Sequence, residues 1–317
     1  MKHEVTYAEV VAALRADGSC IGTVKEPNEY HAWKAELEAE FGCPVVSKSV
    51  LSEFAAGSYS FHWNKQHGVK KESAGFAFGS AVDCRVLTPE LWSTLYAVED
   101  IDRRTKAGKE RAAELEAQGK TVLKPAEFEA VQDAALRALN HLTADGVRFT
   151  AQVGMWVYLE EIGGEPLPCP VIVTGMIDIL PDYDTVRNDE ILDLKTTSTD
   201  VTDATRLFWT MEDFRYGIQA AMYLDLFNLC GGAESPRERF GFLFVGSSRP
   251  AMSRLVMMDA TCIAAHRLEY FALLRRYCAA HASGEWGSPQ LDEVWYVPTR
   301  KAAAQIQEAL TQEGSEA

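Results

Sequence analysis

Asp178, Asp193 and Lys195 are the residues of this chain whose types and spacing could do chemistry. They fall in Val171 to Thr197, VIVTGMIDILPDYDTVRNDEILDLKTT, which reads as two short apolar strands joined by a polar turn. The strands are Val171 to Leu180 and Ile191 to Thr196. Alternation along a strand puts Asp193 and Lys195 on one face and Leu192 and Leu194 on the other. Asp178 interrupts an otherwise apolar strand, and pairing of the two as a hairpin would set it beside Asp193. Two carboxylates and a lysine would then meet on one side of a sheet whose other positions call for burial. A partly buried anion needs a partner. A divalent cation would be one; Lys195 alone, in a structural ion pair at a sheet edge, would be the plainer one.

The elements that must hold these groups belong to an ordinary globular chain. It has 317 residues, enough for one large domain or two, with 47% hydrophobic and 24% charged residues. No apolar run approaches the roughly 18 to 20 residues needed to span a bilayer. MKHEVTYAEV at the start lacks an apolar signal core, so the expectation is a cytoplasmic protein without membrane association. A net charge of −15 argues against a general nucleic-acid coat protein but leaves room for an enzyme with a locally basic cleft. Seven scattered cysteines with no C-x-x-C pair argue against a zinc or iron–sulfur centre and against a disulfide framework.

Taken in order, the chain predicts a short helix at Tyr7–Arg15 and another from Ser47 to near Gly57, then a polar loop carrying Trp63, Asn64, Lys65, Lys70 and Lys71. From Ala77 to Leu87, Phe78, Val82 and Val86 recur at helical spacing, and Gly79 and Ala81 are small enough for close packing. Asp83 is the odd residue there, either a solvent-facing acid or a third metal ligand. Arg103, Arg104, Lys106, Lys109 and Arg111 make the densest basic run, which either tracks phosphates or lies on a surface helix. Beyond it come a helix at Pro125–His141, a strand at 152–160, a helix at about 212–229 and a strand at 240–247. Arg254–Met258 and a long helix at about 259–283 follow. On the 212–229 helix Tyr216, Gln219 and Tyr223 share one face. The order suggests one α/β core with helical additions and no internal repeat.

Gly175-Met176-Ile177-Asp178, Asp193-Leu194-Lys195-Thr196-Thr197 and Tyr216-Gly217-Ile218-Gln219-Ala220-Ala221-Met222-Tyr223 together resemble the nuclease motifs of the PD-(D/E)xK superfamily. More closely they are similar to exodeoxyribonuclease VIII and the RecE-like exonucleases of phages and prophages. Ser47 to Leu51, Gly79 to Pro89, Tyr96-Ala97-Val98 and Thr105 to Lys109 sit where that family has similar segments, so the likeness covers roughly residues 45 to 290. It implies a restriction-endonuclease-like α/β (α+β) core, a mixed central sheet flanked by helices, with helical N-terminal additions. The expected division is an N-terminal helical extension at 1–45, the nuclease domain at 46–298 and a helical tail at 299–317.

The resemblance also implies roles. Asp178 and Asp193, with the backbone carbonyl of Leu194, would bind one or two Mg²⁺ or Mn²⁺ ions. Lys195 would orient or help deprotonate the attacking water, and Gln219 and Tyr223 would position substrate or the hydrated metal. The implied activity is metal-dependent exonuclease digestion of duplex DNA ends, 5′ to 3′, in phage-type recombination. A single-strand annealing (RecT-like) partner and a ring-like homo-oligomer are implied with it. Arg103, Arg104, Lys106 and Lys109 are the candidate DNA contacts. Two positions depart from the pattern: Asp83 stands where the family usually has histidine, and Gln152 near where it commonly has glutamate. If Asp83 supplies the carboxylate that Gln152 lacks, the charge of the site is kept. The alternatives are a weakened or inactive nuclease-fold DNA-binding module, and a RecB-like or restriction-like nuclease of other polarity.

Overall fold

The computed structural model describes residues 3–24, 27–68, 74–144, 146–231 and 236–288. Met1–Trp286 form one compact unit. Gly287–Ala317 form a second, of which only Gly287 and Ser288 are described, so the tail expected at 299–317 lies outside the described residues. Lys70 and Lys71 lie outside them too.

The elements begin with α1 (Tyr7–Asp17), β1 (Ser19–Thr23), α2 (Pro27–Phe41), β2 (Val45–Ser47), α3 (Lys48–Ala56), α4 (Ser58–His67) and α5 (Ala74–Leu87). They continue through α6 (Trp92–Leu95), β3 (Tyr96–Val98), α7 (Lys106–Ala117), β4 (Thr121–Leu123), α8 (Pro125–Ala144), β5 (Phe149–Ile162) and β6 (Glu165–Pro181). Last come β7 (Glu190–Thr197), α9 (Ala204–Asp213), α10 (Tyr216–Leu229), β8 (Arg239–Gly246), β9 (Ser253–Met257) and α11 (Ala260–Ser283). The central sheet is mixed, in the order β1-β5-β6-β7-β8-β9 with β2 also on β6; β3 and β4 form a separate parallel pair. Strand β7 runs parallel to β8, β2 runs parallel to β6, and the other neighbours in the central sheet are antiparallel.

Helices cover both faces of the sheet, and alternation along β8 makes the division plain. Phe240, Phe242 and Phe244 pack with Ile218 and Met222 of α10 and Leu274 and Tyr277 of α11. Leu243 and Val245 pack on the opposite side with Val82 of α5 and Ala134 and Ala138 of α8. Burial of each such phenylalanine is worth ~1.5–3 kcal/mol, so β8 anchors both layers. A third cluster joins Val10, Leu14, Trp33 and Leu37 of the N-terminal segment to Trp156 and Ile172. The first 45 residues are therefore not helical alone: they supply β1, which pairs with β5 at the sheet edge.

Two local expectations change. Trp63, Asn64 and Lys65 lie on helix α4, not in a loop. With Phe61 as its buried anchor, that helix is too polar for its periodicity to register. The helix expected from about 212 to 229 starts only at Tyr216, as α10, because Glu212 and Asp213 end a separate helix, α9, and Arg215 between the two helices has a left-handed φ of 51°.

Candidate active site

The site lies where the edge of β6 is left open. One edge of β6 pairs with β5 on both sides of Asp178. The other edge is shared: β2 takes Ile172–Thr174, and β7 takes Ile179 alone, through Leu192. Gly175 to Asp178 fall between them with neither neighbour on that edge. Strand β2 runs into this gap and leads to Lys48, while β7 runs into it from the opposite end carrying Asp193, Leu194 and Lys195. The pairing Ile179–Leu192 would put Asp178 opposite Asp193 if the ladder continued, which is the register the hairpin pattern suggested. The strands part instead, and the amide of Leu194 donates to Asp178 Oδ2 at 3.0 Å.

Asp178 also marks a change of pleat in both strands around it. On β6, Val171, Val173 and Ile177 pack on the α10/α11 side, yet Ile179 packs on the α5/α8 side and Leu180 returns to the first. On β5, Val153, Met155 and Val157 share the α10/α11 side, while Phe149 and Ala151 lie on the other. Between them Gln152, directly across the sheet from Asp178, has φ of 54°. A left-handed backbone at a residue other than glycine is strained and persists where surrounding structure over-determines it.

On β7 the alternation predicted from sequence holds. Leu192 and Leu194 go to the α5/α8 core, and Asp193 and Lys195 face the other way beside Phe242 and Phe244 of β8. Asp193 is 2% exposed. Its Oδ2 has the Lys195 ammonium at 2.5 Å as an ion pair, and its Oδ1 accepts from Gln219 Nε2. Tyr223, one turn further along α10, lies against Gly175: a Cβ there would come within 2.8 Å of the tyrosine ring. Its hydroxyl hydrogen-bonds the Met176 backbone, and burial raises its pKa well above the usual phenol value. Asp83 enters from α5. Gly79 on that helix approaches Thr196 of β7 so closely that a Cβ would meet Oγ1 at 2.9 Å, and Asp83 is one turn away on the same face.

These acids outnumber the cation among them. Burial pushes the Asp83 carboxyl up to about 7, with Asp193 adding and Lys195 opposing. Asp178 is held well above the usual carboxylate range by burial and then by Asp193. For Lys195, burial alone would lower the ammonium, but Asp193 and Asp178 together hold it above its ordinary value.

Lys48, which the sequence suggested as part of a helix start and of a segment similar to the nuclease family but not as a site residue, belongs to the site as well. Its ammonium donates to the Phe214 carbonyl at 2.7 Å and lies 5.2 Å from the Tyr216 ring centroid, the same distance as the Lys195 ammonium. Burial and the neighbouring Lys195 lower it to about 8. No spacing rule marks a single lysine after Val45-Val46-Ser47.

Among the described residues no three Asp, Glu, His or Cys groups are already gathered at ligating distance. The donors nevertheless suit a hard cation. The buried Asp193 Oδ2, with the Lys195 ammonium beside it, lacks a hydrogen bond of ordinary geometry, and Asp178 and Asp193 offer oxygen ligands only, as Mg²⁺ and Mn²⁺ prefer.

A crystal structure from Eubacterium rectale, described as a "Putative exonuclease", matches this architecture with a TM-score of 0.53 and 15% sequence identity, over 89% of this chain and 98% of that one. The two chains share a fold. No family model and no curated protein sequence matches the chain.

The basic run sits at and just before α7, where most of its charge is paired. Arg103 bonds Glu116 at 2.9 Å, Arg104 bonds Asp102 at 2.9 Å and Lys106 lies 3.8 Å from Glu110. Lys109 is exposed on the same helix. A cavity of about 470 Å³ lined by Arg85, Asp133, Leu139 and Arg249 lies on the α5/α8 side and holds none of the site groups. The described cysteines are all free thiols, and among the described residues no helix is long and apolar enough to cross a membrane.

Proposed function

We propose that the chain is a metal-dependent DNA exonuclease that hydrolyses phosphodiester bonds at duplex ends. The observation that carries this is the convergence of Asp178, Asp193 and Lys195 at the open edge of β6, with Asp178 on the Leu194 amide and Lys195 on Asp193.

Asp178, Asp193 and the Leu194 carbonyl would hold Mg²⁺ or Mn²⁺, with Asp83 near enough to add negative charge. A divalent cation bound there supplies Lewis acidity toward the phosphate and makes a coordinated water a better nucleophile. In the hydrolysis a water oxygen bonds to phosphorus, the opposite P–O bond breaks, the water gives up a proton and the departing oxygen gains one. The Lys195 ammonium orients that water and offsets charge growing on the phosphate. Gln219 fixes the Asp193 carboxylate through its amide, and Tyr223 holds the stretch of β6 that carries Asp178 by its hydrogen bond to the Met176 backbone. Digestion 5′ to 3′ leaving a 3′ strand, a single-strand annealing partner and a ring-like oligomer complete the proposal on the motif resemblance alone.

A second reading, a nuclease fold that retains DNA without cutting it, is favoured by the lack, among the described residues, of three ligating groups already gathered. Incubation with closed circular and linear duplex DNA, in Mn²⁺ and in chelator, separates the two. Loss of linear DNA only, and only with metal, supports the exonuclease. Retention of both with no product in either condition supports the binding module.

A further inference from the structure

A column of aromatic rings runs from the core to the surface beside Lys195. Phe242 of β8, facing the same side as Asp193, stacks with Tyr216 at 5.1 Å and 23°. Tyr216 in turn stacks with Phe214 at 5.7 Å and 18°. Phe214 closes the column and is 58% exposed. Both lysines of the site, Lys48 and Lys195, hold their ammoniums 5.2 Å from the middle ring.

The arrangement is imposed on the backbone. Residues two apart on a continuous helix point to different sides and do not face each other. The left-handed Arg215 between α9 and α10 breaks the helix there, which lets Phe214 and Tyr216 stack, and Glu269 anchors it with an ion pair of 2.7 Å. Lys48 fixes the Phe214 carbonyl from the other side. An exposed aromatic ring is thus pre-oriented by one strained residue and two charged partners, without being needed to fill the core.

We propose that the outer face of Phe214 stacks on a nucleobase of the strand being processed, next to the phosphate in the site, and that this base is unpaired. This deepens the proposed nuclease function and rests on it. Chemistry favours a base over a peptide or a second copy. Rings stack on any base face, the ammoniums that would meet the attached phosphate lie on the inner part of the column, and exposed Glu212 and Asp213 beside Phe214 disfavour a phosphate backbone on the outside. Phe208 and Trp209 are also exposed, but they precede the break at Arg215 and are not among the rings stacked in the column.

The test is binding of a single-stranded oligonucleotide carrying 2-aminopurine near its 5′ end, in chelator so that cleavage cannot contribute. The full chain is compared with Phe214→Ala, Phe214→Trp and Trp209→Ala, each checked by thermal melt. The expected result is strong quenching of the probe by the wild type, at least fivefold less in Phe214→Ala, recovered in Phe214→Trp and unchanged in Trp209→Ala. Equal quenching in Phe214→Ala, or no binding by the wild type, overturns the proposal. So does sedimentation showing that Phe214→Ala dissociates an oligomer while leaving the quench intact. Because the readout needs no cleavage, quenching without nuclease activity would mark failure of the catalytic reading alone.

Discussion

The backbone amide of Leu194 donates to Asp178 Oδ2 at 3.0 Å just past the position where β6 and β7 stop pairing. One carboxylate thereby does two jobs: it satisfies the amide of a parting strand and stays in the acid cluster. Asp178→Asn keeps an acceptor oxygen for Leu194 but removes the charge. The expected outcome is a chain that melts in chelator no lower than wild type while Mn²⁺ affinity, followed by calorimetry, falls at least tenfold. Equal affinity would remove Asp178 from the metal site.

Asp83 gives a pH dependence of defined sign. Its folded pKa of about 7 lies above the usual carboxylate value. Between the two the folded chain keeps a proton that the unfolded chain releases, so this contribution to stability is present at acid pH and is lost as pH rises toward 7. Metal-free Asp83→Asn should therefore gain stability over wild type at pH 8, and much less at pH 5. Melts in chelator at both values check it; an equal gain at both would contradict it.

Lys48 should give DNA binding a pH dependence of its own. Its ammonium, lowered to about 8, is charged below that value and neutral above it. Oligonucleotide affinity in chelator should weaken from pH 7 to pH 9. Lys48→Gln should weaken it roughly three- to tenfold at pH 7, the scale of one phosphate contact, and flatten the pH profile. A Gln variant with the wild-type profile would exclude the lysine.

Gly175 is needed for close approach, not for an unusual backbone. A Cβ there meets Tyr223 at 2.8 Å. Gly175→Ala should cost about 1–3 kcal/mol by overpacking and lower cleavage by displacing the neighbouring β6 edge. Gly175→Ala with unchanged melting temperature and rate would show that the ring yields freely.

Much of this site was legible because its signals are local. Alternation on β7 placed Asp193 with Lys195, and helical spacing placed Gln219 near Tyr223; both hold. The pleat change at Gln152 and Asp178 was not legible, since a residue type does not announce a left-handed φ. Lys48 was missed for a different reason: β2 meets β6 only through long-range pairing, and nothing near Ser47 encodes which strand receives it. The α9–α10 break was hidden too, because Leu207 and Met211 continue an amphipathic pattern almost to Arg215. For the basic run before and along α7, composition gave the charge and not its neutralisation by Asp102, Glu110 and Glu116.

The central claim is that Asp178, Asp193 and Lys195 cut phosphodiester bonds with the help of a bound cation. Release of label from end-labelled linear duplex DNA, in Mg²⁺ and in chelator, by wild type and Lys195→Ala, tests it most directly. The account predicts metal-dependent release by wild type, none in chelator, and a loss of roughly 10² or more in rate for Lys195→Ala with the melting temperature kept. Cleavage by Lys195→Ala at the wild-type rate, or release that persists in chelator, would contradict it.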